Sequence, residues 1–239
     1  MRVLSLFSGI GGLDLGLERA GMTVVRQIEK DAFCRRVLRK HWPDVRIDDD
    51  VTTAEFVDGE ADVVCGGFPC QDVSNAGKRA GISAERSGLY RELVRAIRVV
   101  RPLYAIVENV AALLGRGMGT VLGDLAEIGY DTEWDCIPAC SVGAPHCRDR
   151  VFITASDTQR GEWRAQPYFW ATRRMGRIVK SVSWDGGWKA ALAKFRGVDD
   201  GVPRSVERTD AIRNAVVPAV AEVVGRAVME AHAKSGGVG

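Results

Sequence analysis

Residues 1–29, MRVLSLFSGIGGLDLGLERAGMTVVRQIE, decide the fold. The short apolar run Val3–Phe7 predicts a buried strand, and Gly11–Gly21 predicts a helix because Leu13, Leu17 and neighbouring apolar residues recur at helical spacing. Thr23–Ile28 predicts a second strand. A strand, a helix and a strand of these lengths are typical of a parallel βαβ unit.

The same alternation continues outward to Ala155. We predict further strands at Ala61–Cys65, Leu103–Val107, Tyr130–Ile137 and Arg150–Ala155, and further helices at Asp31–His41, Arg86–Val100, Gly119–Gly129 and Ala219–Ala233. The fold class is therefore α/β, with a doubly wound and mostly parallel sheet. The periodicity weakens after residue 157, so we predict an α/β domain over 1–157, a small irregular subdomain over 158–203, and a C-terminal segment over 204–239 whose helix returns to the first domain.

Length and composition place the 239-residue chain among ordinary globular proteins. Hydrophobic residues make up 46% and charged residues 27%, which excludes wholesale disorder. No apolar run approaches the ~20 residues of a membrane span, and the first residues do not resemble a signal peptide. We therefore expect a cytoplasmic protein.

Charge is distributed unevenly along the chain. Residues 158–203 carry 9 basic and 4 acidic side chains together with seven of the 17 aromatic residues, whereas residues 1–157 carry 19 basic and 23 acidic side chains. A basic, aromatic-rich segment is typical of a nucleic-acid surface. A small aromatic core with a solvated basic rim fits the composition equally well.

The six cysteines are predicted to form neither a disulfide framework nor a zinc site. A reducing cytoplasm disfavours disulfides in a chain of this size. Cys136, Cys140, His146 and Cys147 lie within twelve residues, but they contain no CxxC pair. We expect most of the cysteines to be small buried residues, and we expect no metal.

Two loops follow predicted strands with residues suited to chemistry. Phe7–Gly12 joins a strand to a helix, and its glycines allow a ligand to approach the backbone closely, although such a loop is often only a turn. The loop lacks the third glycine of the dinucleotide fingerprint, while Glu29 ends the next strand in a place to bind a ribose. Gly66–Gln71 contains Cys70 between Pro69 and a loop, where a thiolate nucleophile is favoured over a structural cysteine.

Two further motifs carry charged side chains. Glu108 directly follows a strand, so poor solvation could raise its pKa into the range of an acid catalyst. The alternative is that Asn109 caps a helix and leaves Glu108 merely charged. Arg148 and Arg150 alternate with Asp149, so in a strand both arginines can face the same side and bind a carboxylate, phosphate or carbonyl oxygen. An ion-pair ladder on an edge strand is the alternative there.

Taken together, FSGIGG, GGFPCQ, ENV and the x-R-x-R before RVFI resemble the ordered motifs of the C5-cytosine DNA methyltransferases. The resemblance extends from Val3 to about Glu222, and RNAVVPAVAE is similar to the closing cofactor motif of that family. It implies S-adenosylmethionine as cofactor and duplex DNA as substrate, with 158–203 as the target-recognition region. We expect a monomer that acts without a membrane or metal, in a bacterial or phage-infected cell. The sequence leaves open whether a cognate restriction endonuclease is its partner.

The resemblance also implies roles for individual residues. Cys70 would be the nucleophile, Glu108 would bind cytosine N3 and the exocyclic amine, and Arg150, supported by Arg148, would reach the cytosine carbonyl and Glu108. The cofactor would be bound by Phe7, Gly9, Ile10, Gly12, Glu29 on its ribose, Asp50 near its adenine, Pro69, Leu89, Asn214 and Ala215. DNA would be contacted by Gln71 and Ser74. Independently of the resemblance, the positive charge and aromatic residues of 158–203 predict DNA contacts by Arg173, Arg174 and Arg177.

These residue types suit the reaction because cytosine C5 is a poor nucleophile until a thiolate adds at C6. The target base must leave the duplex to be reached; methyltransferases are among the established base-flipping enzymes. The sequence departs from the family pattern at His146, commonly Gln, and at Arg213, commonly Gly. Arg213 motivates one alternative, a catalytically weak relative that binds DNA or cofactor, and an RNA cytosine methyltransferase with the same motifs is another.

Overall fold

The computed structural model describes residues 1–69, 88–160 and 215–235. Its strands are β1 (Arg2–Leu6), β2 (Thr23–Ile28), β3 (Arg46–Asp48), β4 (Val63–Gly67), β5 (Tyr104–Val110), β6 (Tyr130–Pro138) and β7 (Asp149–Asp157). Its helices are α1 (Gly12–Arg19), α2 (Ala32–His41), α3 (Gly88–Val100), α4 (Leu113–Arg116), α5 (Met118–Glu127) and α6 (Pro218–Ser235), and a 3-10 turn covers Ala139–Val142.

The strands form one seven-stranded sheet in the order β3-β2-β1-β4-β5-β7-β6. The first five strands of this order are parallel, and β7 runs antiparallel to both β5 and β6. The predicted α/β class with a mostly parallel sheet is confirmed. The winding direction reverses between β1 and β4, which is where open sheets of this kind bind ligands.

Helices cover both faces of the sheet because both faces of the parallel strands are apolar. On one face, Leu93 and Ile97 of α3 and Leu125 of α5 pack against β4 and β5. On the other, α1, α2 and α6 pack against β1, β2 and β4 through residues such as Leu17 and Leu38. The sheet is therefore a rigid middle layer whose strand ends fix the site.

Helix α6 packs directly on α1. A Cβ added at Gly16 would collide with Ala221, and one added at Gly225 would come within 2.8 Å of Ala20. The small residues let the two helix backbones approach closely and bring the preceding residues, Ala215 and Val216, to the N-terminus of α1. The chain leading into α6 thereby reaches the edge of the sheet where β1 ends.

Several sequence expectations are wrong in detail. The strand predicted at Leu103–Val107 continues to Val110 and contains both Glu108 and Asn109, so Asn109 does not cap a helix. Strand β7 is not at the edge of the sheet, which rules out an ion-pair ladder on an edge strand. Strand β3 and helix α4 are short additions that the hydrophobic pattern does not indicate.

The cysteines also depart from expectation at one place. Cys140 and Cys147 form a disulfide across a tight turn, with their Cα atoms 4.6 Å apart. The turn is closed by a 3.0 Å hydrogen bond from the Ala139 amide to the Arg148 carbonyl, which brings the two thiols together. Cys34 and Cys65 are buried and unbonded to other cysteines, as expected.

Two negative observations apply to the described residues alone. Across 1–69, 88–160 and 215–235, none of the helices combines the length and apolar character needed to cross a bilayer. Within the same ranges, no cluster of three or more His, Cys, Asp or Glu side chains is arranged to hold a metal ion.

Candidate active site

A cavity of about 880 Å³ opens at the carboxyl ends of β1, β2, β4 and β5. This size suits a nucleoside-bearing ligand, since small-molecule sites typically span about 300–1,000 Å³. The predicted site residues that line it are Phe7, Gly9, Gly12, Glu29, Asp50, Pro69, Leu89, Glu108, Arg148, Arg150 and Ala215. The structure therefore brings residues from four separate motifs to one continuous surface.

The loop between β1 and α1 adopts a backbone that few residues tolerate. Phe7 has φ 55°, and Gly9 and Gly11 have φ 55° and 83°. A left-handed phenylalanine costs on the order of 1 kcal/mol or more, and such strain is concentrated at ligand sites. At Gly11 a side chain would also collide with the Trp42 ring, which fixes glycine there.

Glu29 braces this loop from the end of β2. One carboxylate oxygen accepts a 2.7 Å hydrogen bond from the Gly9 amide, and the other accepts a 2.7 Å bond from the Asp31 amide. Glu29 also lines the cavity, and its oxygens retain lone pairs for a ligand hydroxyl. The ribose-binding role of Glu29 stays a prediction, made for a residue that lines the cavity.

Asp50 contributes a second carboxylate at the rim of the cavity. The Thr52 amide and hydroxyl donate to it at 2.9 and 2.7 Å and hold its pKa below the usual range, and Lys30 Nζ lies 3.8 Å away. The two carboxylates can accept hydrogen bonds from the ribose hydroxyls and the adenine amine of a nucleoside, and an apolar wall that includes Leu89 can cover its rings. These residues fit S-adenosylmethionine.

Glu108 is the second chemical centre of the cavity. Burial raises its pKa to about 7, although the neighbouring Arg150 guanidinium lowers it in part. Arg150 Nε lies 2.8 Å from Glu108 Oε1. Gly67 of the adjacent β4 leaves room for the carboxyl, because a Cβ there would collide with Oε2. Near neutral pH, Glu108 can therefore hold or release a proton in the cavity.

The two arginines of the x-R-x-R motif have different neighbours. Arg150, opposite Val110 in the antiparallel β5–β7 pair, contacts Glu108. Arg148 instead lies 3.4 Å from the Ala215 carbonyl, which it reaches with Nη1. Both line the cavity, but Arg148 connects it to the C-terminal segment and does not form the Glu108 ion pair.

Asn109 is a residue of the site whose role the sequence analysis did not identify. Its side-chain amide donates a 3.1 Å hydrogen bond to the Phe68 carbonyl, two residues before Cys70. It thus ties β5 to the beginning of the Cys70 loop. The feature that could have indicated this role is the position of Asn109 directly after Glu108 in the sequence. Val216 is a second missed residue, which lines the cavity beside Gly12.

Some predicted residues are not placed at the cavity. Ile10 belongs to the loop but is not part of the cavity lining. Outside the described residues lie Cys70, Gln71, Ser74, Arg173, Arg174, Arg177, Arg213 and Asn214. The predicted target-recognition region, 158–203, also lies outside them apart from its first three residues.

Comparison with known proteins identifies the class. The fold is that of the class I methyltransferases. A putative DNA modification methyltransferase encoded within an E. coli prophage superposes with TM-score 0.56 at 25% identity, covering 66% of this chain and 47% of that one. The Dnmt2 methyltransferase of S. pombe superposes with TM-score 0.59 at 20% identity, over 78% of this chain and 57% of that one, and supports the fold alone.

The sequence relationships define the family. The family model for C-5 cytosine-specific DNA methylase matches residues 1–174, so the chain belongs to this family. Type II methyltransferase M2.BsuMI of Bacillus subtilis is 39% identical over 164 residues, 65% of this chain and 42% of that protein. Type II methyltransferase M.Eco47II of Escherichia coli is 37% identical over 161 residues, which are 64% of this chain and 39% of that protein. The chain thus spans about two fifths of the length of these relatives.

Proposed function

We propose that the chain is a DNA (cytosine-5-)-methyltransferase that transfers a methyl group from S-adenosylmethionine to C5 of a flipped-out cytosine. The observation that carries this proposal is the continuous cavity. It joins the Gly9–Glu29 loop, suited to a nucleoside, to the buried Glu108–Arg150 pair, suited to a pyrimidine edge. Membership of the family supplies the reaction class.

The cofactor half of the cavity would be formed by residues around β1 and β2. Glu29 would accept from the ribose hydroxyls and Asp50 from the adenine side, while Leu89 and Pro69 would cover the apolar surface. S-adenosylmethionine supplies an electrophilic methyl group when bound. The chain's own part is to orient it and to exclude water, for which Ala215 and Asn214 would close the C-terminal side.

The cytosine half would be formed by Glu108, Arg150 and Cys70. The Cys70 thiolate would add to C6, and Glu108, with a pKa of about 7, would donate a hydrogen bond or proton to N3 and stabilise the charge that addition creates. C5 would then take the methyl group, a base would remove the C5 proton, and the C6–S bond would break to return the thiolate. Arg150 would hold Glu108 and the cytosine carbonyl.

DNA would be bound by residues beyond the cavity. Gln71 and Ser74 would contact it from the Cys70 loop, and the basic region 158–203 would read the target with Arg173, Arg174 and Arg177. We further expect a monomer located with its DNA substrate in the cytoplasm, and a cognate restriction endonuclease is its candidate partner.

The direct test is bisulfite sequencing of DNA from a host without endogenous cytosine methylation that expresses the chain. We expect protected cytosines in one short sequence context. Cys70→Ser should abolish protection, whereas Cys136→Ser, a half-buried cysteine outside the cavity, should retain it. Methylated cytosine in tRNA or rRNA with unmodified DNA would replace the DNA proposal with the RNA alternative. Cofactor binding without any methylation would favour the alternative of a catalytically weak relative that binds DNA or cofactor.

A further inference from the structure

A buried carboxylate lies beneath the cofactor loop, outside the residues assigned above. Asp14 is in the first turn of α1 and is 0% exposed. Its Oδ1 accepts a 2.5 Å hydrogen bond from Ser5 Oγ of β1, and its Oδ2 accepts a 2.6 Å hydrogen bond from Gln27 Nε2 of β2. One side chain therefore connects the two strands and the helix that meet at the loop.

The network continues into the cavity wall. Ser8 Oγ lies 2.9 Å from Ser5 Oγ and 3.2 Å from the Ser5 carbonyl. Because the Ser5 proton is donated to Asp14, Ser5 Oγ is free to accept from Ser8. Ser5 and Ser8 both line the cavity. The hydrogen bonds thus run from Ser8 through Ser5 to Asp14, from the ligand surface to the core.

Ser8 holds the rest of the loop in turn. Its amide donates to the Ile28 carbonyl at 3.2 Å, and its carbonyl accepts from the Gly11 amide at 2.9 Å. Gly9, between these two anchors, donates its amide to Glu29. A shift of Ser8 would therefore move the Gly9 amide and the Glu29 carboxylate that lines the cavity.

An apolar residue at the position of Asp14 would avoid the desolvation free energy of a buried carboxylate. A buried carboxylate without a cationic partner is costly unless hydrogen bonds compensate it. The two donors and the N-terminal turn of α1 provide that compensation. Burial raises the pKa of Asp14 to about 6, so the carboxylate form, which can accept from both donors, still predominates above neutral pH.

We propose that Asp14 is a positioning residue for cofactor binding, which fixes the loop Phe7–Gly12 through Ser5 and Ser8. The inference rests on the proposed function, since it assigns Asp14 to the S-adenosylmethionine site. Gln27 is its second anchor. Among the described residues no donor reaches Gln27 Oε1, so the amide is oriented by Asp14 alone.

The test exchanges the acid and the amide. Q27E places two carboxylates against each other, whereas D14N/Q27E restores a carboxylate–amide pair with the two groups in exchanged places. In this double variant the amide nitrogen at position 14 would donate to the carboxylate at position 27, and the amide oxygen would accept from Ser5. S5A removes the connection between Asp14 and Ser8. The probe is S-adenosylhomocysteine, titrated by calorimetry into the full chain at pH 8, with thermal unfolding recorded for each variant.

We expect Q27E and S5A to weaken binding of the probe by about tenfold or more, the value of a hydrogen bond to a charged group. The exchange D14N/Q27E should recover affinity to within about threefold of the unaltered chain. S5A should raise KM for the methyl donor more than it lowers kcat.

The outcomes separate this inference from the proposed function. Folded S5A and Q27E with unchanged affinity would show that the network is only structural and would overturn the inference alone. Failure of D14N/Q27E to recover affinity while its melting temperature recovers would overturn it as well. Absence of binding by the unaltered chain would overturn both the inference and the S-adenosylmethionine assignment.

Discussion

Replacement of Glu108 by glutamine should change how stability depends on pH. Burial raises the pKa of Glu108 from 4.5 to about 7, so between these values the folded protein holds a proton that the unfolded chain has released. The free energy of unfolding must therefore fall as pH rises through this window. At about 1.4 kcal/mol for each tenfold change in proton affinity, the full loss is about 3 kcal/mol.

Glu108→Gln removes the titrating group and keeps its size and an acceptor for Arg150. We expect the variant to be more stable than the unaltered chain at pH 8 by about 3 kcal/mol, with roughly 1 kcal/mol or less between them at pH 5. Asp14, whose pKa is also raised, contributes equally to both proteins and cancels in the difference.

Chemical denaturation at pH 5, 6, 7 and 8 measures this difference. The gap between the two proteins should widen with pH by about 2–3 kcal/mol. A difference in the free energy of unfolding that stays constant from pH 5 to pH 8 would refute the reasoning. Glu108 would then have the same proton affinity in the folded and the unfolded state. The same variant should lose most of its methyl-transfer activity.

Three further predictions concern DNA binding and the cavity. Replacing Arg173, Arg174 and Arg177 together by glutamine should weaken DNA binding and flatten its salt dependence, and cofactor affinity should stay constant. Fluorescence anisotropy measures the DNA affinity and calorimetry the cofactor affinity; equal loss of both would indicate a folding role. Arg213→Gly should weaken DNA binding and leave cofactor affinity unchanged, because we expect Arg213 to point toward the DNA phosphates; a marked gain in cofactor affinity would contradict that orientation. Gly67→Ala should destabilise the fold by about 1–3 kcal/mol and lower kcat, because the new Cβ collides with the Glu108 carboxyl. Gly123→Ala, on an exposed position of α5 with open space around it, is the matched control and should be neutral or stabilising.

Local hydrophobic patterns predicted the sheet class well because each buried strand has its own apolar run. The position of the site followed from the same pattern, since the carboxyl ends of parallel strands share one edge. Gly9, Glu29 and Glu108 are far apart in sequence, but each was predicted to follow a strand, and the three residues line one cavity.

Contacts that depend on tertiary packing could not be read in the same way. Strand β7 runs antiparallel because it pairs with β5, which is distant in sequence. The residues of the predicted strand at Arg150–Ala155 do not by themselves indicate this direction. Asp14 lies in a helix whose other buried positions are apolar, and only its approach to Ser5 and Gln27 shows why an acid is tolerated. The Cys140–Cys147 disulfide likewise depends on the geometry of one turn.

The most direct test of the central claim is trapping of the covalent complex on DNA. Duplex DNA carrying 5-fluorocytosine at the methylated site should become bound to the chain in the presence of S-adenosylmethionine, because fluorine blocks the final elimination. Peptide mapping by mass spectrometry should place the attached nucleotide on Cys70, and Cys70→Ser should give no adduct. DNA methylation without any adduct, or an adduct on another cysteine, would contradict the account.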